Sequence, residues 1–98
     1  MKSGNWQTFI EDLSHGEELW FEFSGEIYFI QGWYETDKDS FVMTVDKQIS
    51  HRLSNLWKTE SKSQVENAAM LLKEKLFDGK TLEEIENEIT QKDGWDMV

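Results

Sequence analysis

The sequence predicts an α+β fold: a short N-terminal helix, a three- or four-stranded antiparallel β-meander, and two C-terminal helices packed on the sheet. Three observations predict it. Two aromatic, β-prone runs, residues 17–23 and 26–34, flank Ser24-Gly25, a two-residue hairpin signal. Before them, Trp6, Phe9, Ile10 and Leu13 recur at i, i+3, i+4 and i+7, one face of a helix. After them, Ser63-Gln-Val-Glu66 and Thr81-Leu-Glu-Glu84 are two capping boxes, each opening an apolar helical pattern.

The first helix is expected over residues 3–15, capped by Ser3 or Asn5 and stopped at Gly16. A two-residue turn at Ser24-Gly25 sets Phe23 opposite Glu26, Phe21 opposite Tyr28 and Leu19 opposite Ile30. The other face then holds Trp20, Glu22, Ile27, Phe29, Gln31 and Trp33. Both faces are rich in large apolar groups, so a helix is expected over Trp20, Phe29 and Trp33; the alternative is an exposed aromatic patch. Residues 35–39 form a polar turn and residues 41–46 a third strand. Residues 47–58 alternate best as a strand around 51–58, although Ile49, Leu53, Leu56 and Trp57 also fit a helix face. The helix opened at Ser63 runs to Phe77, with Val65, Ala68, Ala69, Leu72 and Leu76 inward. A short acidic helix follows from Thr81, with Leu82, Ile85 and Ile89 inward. The tail, residues 91–98, either packs back as an edge segment or frays.

Ninety-eight residues without repeat or linker composition make one domain over residues 1–98. There is no cysteine, hence no disulfide and no thiol nucleophile. No run approaches the roughly 18 apolar residues of a membrane span, and no basic-then-apolar leader is seen, so a cytoplasmic location is expected. The net charge is −10 and unevenly placed. Residues 11–46 hold ten acids and one base, a balance of −9; residues 78–98 hold seven acids and two bases, a balance of −5. Residues 47–75 hold three acids and six bases, a balance of +3. Such a chain is repelled by nucleic acid and by anionic membrane and attracted to basic protein surfaces. Acidity alone also serves solubility.

Few residues suggest chemistry. His15 and His51 lie far apart, and neither has a second ligand at metal-binding spacing. Glu84 and Glu88 share a helix face and offer a bridge for a divalent ion, yet no calcium-loop pattern surrounds them. Gly79-Lys-Thr81 lacks the upstream glycine of a phosphate loop. No catalytic, metal or cofactor site is therefore expected. What remains is surface. The residues expected to meet a partner are Glu17, Glu18, Trp20, Glu22, Glu26, Trp33, Glu35, Asp37, Asp39, Glu83, Glu84 and Glu86. Aromatic anchors with a charged rim are the pattern of protein recognition.

Trp20-Phe-Glu-Phe-Ser-Gly-Glu-Ile-Tyr-Phe-Ile30, followed by Leu76-Phe-Asp-Gly-Lys-Thr-Leu82, resembles a loose group of small acidic phage and mobile-element proteins of Gram-positive bacteria. The resemblance rests on hairpin turns and helix caps, so it transfers no functional residue. It implies an anti-defence protein, such as an anti-CRISPR that mimics DNA, or an immunity protein that neutralises a toxin, and decides between neither. The −9 and −5 balances on a chain with no catalytic set make the leading expectation an inhibitor that occupies the basic nucleic-acid groove of a partner such as a CRISPR effector. The alternatives are an immunity protein for a co-encoded toxin and a carboxylate-based metal module or small enzyme. An aromatic sheet with an unpaired edge also favours a homodimer.

Overall fold

The structure is a computed structural model, and it describes residues 1–93. Trp95 and Met97 of the expected tail lie outside the described residues. Helix α1 is Trp6–Ser14, followed by strands β1 (Leu19–Phe23), β2 (Glu26–Glu35), β3 (Ser40–Ile49) and β4 (Arg52–Ser61). Helix α2 is Gln64–Leu71, and strand β5 is Thr90–Lys92. The five strands form one antiparallel sheet in the order β4-β3-β2-β1-β5.

The α+β class stands, and the layout is corrected in two respects. The sheet has five strands, because residues 90–92 return to pair with β1, setting Thr90 opposite Glu22 and Lys92 opposite Trp20. The expected acidic helix from Thr81 is not an α-helix. Its capping box forms, with Thr81 N–H donating to Glu84 Oε1 at 2.9 Å and Glu84 N–H to Thr81 Oγ1 at 3.2 Å. Beyond it Ile85 N–H is shared between Leu82 O and Thr81 O at 3.3 Å each. The next bonds run to the third residue back, as from Glu86 N–H to Glu83 O at 3.2 Å and Glu88 N–H to Ile85 O at 2.8 Å, and the segment closes in a 3-10 turn at Glu86–Glu88. Glu84 and Glu88 would repel on one face of an α-helix. The tighter winding buries Leu82, Ile85 and Ile89 and delivers the chain to the sheet edge.

Helix α2 is also shorter than its pattern. Ser63 caps it, accepting from Glu66 N–H at 3.1 Å, but it ends at Leu71 and not near Phe77. Phe77 turns inward instead, against Phe21 at 5.6 Å and Tyr28 at 5.1 Å between ring centroids. A tight turn at Asp78-Gly79, both at positive φ, carries the chain onward. Asn5 caps α1, accepting from Thr8 N–H at 3.0 Å. The hairpin register is the expected one, from Leu19 opposite Ile30 to Phe23 opposite Glu26. The fourth strand is real and longer than expected.

One sheet face carries the core. Leu19, Phe21, Tyr28, Ile30, Met43 and Val45 pack against Phe9 and Leu13 of α1, Ala68 and Leu71 of α2, and Phe77, Leu82, Ile85 and Ile89. Phe29 and Val42 are buried outside that cluster, on the opposite face. The expectation of a helix over that face is corrected: among the described residues both α-helices pack on the core side. Trp20 and Phe29 stack on each other across β1 and β2, with centroids 4.0 Å apart and planes 22° from parallel.

Candidate functional site

The end of the sheet where β2 turns into β3 gathers aromatic rings and carboxylates. Strand alternation puts Trp33 and Tyr34 on opposite faces there. Trp33 is 37% exposed and Tyr34 47%. Each ring is tied to a carboxylate a few residues on. Trp33 Nε1–H donates to Glu35 Oε2 at 2.9 Å, and the Tyr34 hydroxyl donates to Asp39 Oδ1. The Tyr34 ring also meets Phe41 edge-on at 5.1 Å. Asp39 adopts the left-handed conformation, φ 50°, that ends the Thr36–Lys38 turn; aspartate tolerates this better than most residues. The bond to Asp39 holds the Tyr34 pKa above the ordinary tyrosine value, with burial and the Asp39 charge adding to it.

Glu60, on β4 opposite Val42, joins this end. It accepts from Ser40 Oγ at 3.0 Å and from Lys38 Nζ at 3.3 Å. These two bonds, the Ser40 bond first, hold its carboxyl below the usual carboxylate range. Asp37 is exposed within the turn. Glu17 and Glu18 are exposed on the loop into β1. Gly32 N–H donates to Gly16 O at 3.0 Å, so that loop runs alongside the strand just before Trp33.

Thus Glu17, Glu18, Trp33, Glu35, Asp37 and Asp39 come to one end. The other sequence-predicted residues do not. Trp20 is half-buried in its stack with Phe29. Glu22 pairs with Lys92 at 3.5 Å and Glu26 with Lys47 at 2.5 Å, so both charges are answered within the chain. Glu83, Glu84 and Glu86 precede β5, which enters the sheet near Phe23, the far end from Asp39. Glu84 is occupied in its capping box, whose Thr81 bonds lower its pKa. Tyr34 was missed, although it follows Trp33 in the same alternation and that signal pointed to it. Glu60 lies in a basic stretch and only the strand register brings it to this end, where its charge, like those of Glu22 and Glu26, is answered within the chain, by Lys38 at 3.3 Å.

The remaining candidates for chemistry lie apart. His15 caps the C-terminal end of α1, while His51 sits in the β3–β4 turn with φ 68°. Among the described residues no three His, Cys, Asp or Glu side chains converge as metal ligands. An open cleft of about 560 Å³ separates the two hairpin tips, lined by Glu26, Ile27, Lys47, Gln48, Ile49 and His51 among others. Its Glu26 and Lys47 neutralise each other.

No family model, curated protein or solved structure matches this chain.

Proposed function

We propose that this chain is a non-enzymatic binding protein that inhibits a nucleic-acid-handling partner by occupying its basic groove, with the Trp33–Asp39 end of the sheet as the contact. The observation that carries the reading is the pairing of each exposed ring with a carboxylate, Trp33 with Glu35 and Tyr34 with Asp39. A ring held in place before contact loses little freedom on binding. Its face accepts a guanidinium, and the neighbouring carboxylate accepts the same group's N–H donors. Asp37, Glu17 and Glu18 extend the negative field around the rings. A groove lined with lysine and arginine to neutralise phosphates answers all three features.

The test is displacement. A labelled duplex bound to a basic nucleic-acid-handling protein, such as a CRISPR effector, is titrated with this protein while fluorescence anisotropy is followed. Displacement that weakens steeply as salt rises supports the proposal. No displacement, or displacement indifferent to salt, contradicts it.

A further inference from the structure

We propose that the open edge of the sheet, residues 57–61 of β4, pairs antiparallel with the same residues of a second copy about a two-fold axis at Thr59. This does not rest on the function proposed above.

The two edges of the sheet are treated differently. The β5 edge is covered by the N-terminal segment: Lys2 N–H donates to Ile89 O at 2.7 Å, and Gln91 N–H donates to Ser3 O at 3.1 Å. At the other edge β4 runs for ten residues with β3 on one side only. An unpaired edge of this length is a template for another strand.

A bulge divides that edge. Val45 faces Trp57 and Asp46 faces Asn55, which leaves Leu56 unpaired. The Asn55 amide fills the kink, donating to Trp57 O at 3.0 Å and Asp46 Oδ1 at 2.9 Å. The extra residue exchanges the two faces of the strand, so a partner cannot hold one register across it. Residues 57–61 are the regular half.

That half is complementary to itself. Lys58 and Glu60, opposite Thr44 and Val42, share the outer face, while Trp57, Thr59 and Ser61 share the core face. Antiparallel pairing centred on Thr59 sets Lys58 against Glu60 of the second copy, and Glu60 against its Lys58, on one face. Lys58 makes no ion pair among the described residues. Glu60 holds Lys38 and Ser40 through one oxygen each and keeps further acceptor positions. Met70 of α2 is 36% exposed and lies over the axis residue, its Sδ 3.7 Å from Thr59 Oγ1, so the axis brings the two Met70 side chains toward each other. The edge also falls in the stretch with a balance of +3, where two copies of a −10 chain approach without setting acid against acid.

Sedimentation velocity over a concentration series tests this. The wild type is expected to move from monomer to dimer mass. Lys58→Glu and Glu60→Lys should each weaken association by about tenfold or more, since each puts like charges opposite one another twice. The double variant K58E/E60K should restore it. Hydrogen exchange of those amides among residues 57–61 that point away from β3 should slow with rising protein concentration, which reads the interface without any substitution. A wild type that stays monomeric at millimolar concentration overturns the proposal. So do single reversals that leave association unchanged, or a double reversal that fails to recover it.

Discussion

The side chain of Gln64 lies over the backbone of Gly32 in the space a Cβ would need: a methyl there would sit 2.6 Å from Gln64 Nε2. Gln64 is 9% exposed and donates through Nε2 to Val42 O at 3.0 Å, while its Oε1 accepts from Asn67 Nδ2 at 2.9 Å. Asn67 in turn donates to Phe41 O at 3.1 Å. This chain of bonds ties the first turn of α2 to the strands that carry Trp33, Tyr34 and Phe41.

Gly32→Ala should therefore destabilise the fold by about 1–3 kcal/mol through overpacking, read from denaturant midpoints. Gln64→Leu should cost about 1–3 kcal/mol by removing the buried donor to the Val42 carbonyl and the acceptor for one Asn67 amide N–H, while Asn67 keeps its bonds to Phe41 O and Ser61 Oγ. The double variant G32A/Q64A should cost less than the sum of its single changes, because the shorter side chain frees the space. A strictly additive result would mean that the two residues do not share that space.

Phe77→Ala should cost about 3–5 kcal/mol, read from thermal and denaturant unfolding, because the ring is fully buried against Phe21 and Tyr28. A loss below about 1 kcal/mol would place Phe77 outside the core.

Phe77 also marks how far local pattern reaches. The hairpin was legible because a two-residue turn fixes register, and the core face from Leu19 to Ile30 follows from it by alternation. The caps at Asn5, Ser63 and Thr81 were legible because a cap needs only a few adjacent residues. The length of α2 was not. Residues 72–76 keep a helical pattern, and it is the distant aromatic pair Phe21 and Tyr28 that draws Phe77 inward. Strand β5 was legible only in part: an edge return was one of two expectations for residues 91–98, but Thr90-Gln-Lys92 has no β-pattern, and its pairing depends on the edge that β1 offers. At the candidate site, Trp33, Glu35, Asp37 and Asp39 were legible from one turn. That Glu22 and Glu26 are answered by Lys92 and Lys47 depends on tertiary pairing.

Glu60 should titrate below the usual carboxylate range in a carbon-detected NMR titration, and Ser40→Ala should raise its midpoint, the Ser40 bond being the larger cause. The sign is that of a depressed acid: its stabilising contribution is present above the unfolded carboxylate pKa and is lost as pH falls through the folded value. An unchanged Glu60 midpoint in the variant would remove Ser40 from the explanation.

Tyr28 has the opposite sign. Burial first, and the charge of Asp78 second, raise its pKa above the ordinary value. Its contribution is complete below about pH 10, the unfolded tyrosine value, and is lost as pH rises through the folded value. Tyr28→Phe should flatten the alkaline fall in stability, followed by urea midpoints between about pH 9 and 11. A fall of the same steepness in the variant would assign it to other groups.

The presentation of negative charge and fixed rings to a basic partner is tested most directly by the association rate constant as a function of ionic strength, for the wild type, an E18K/D37K variant and Trp33→Ala. Steering by the carboxylates requires a rate that falls steeply with salt and drops about tenfold or more in the charge-reversed variant. Anchoring by the ring requires that Trp33→Ala act mainly on the dissociation rate. An association rate indifferent both to salt and to the reversal would contradict the proposed mode of binding.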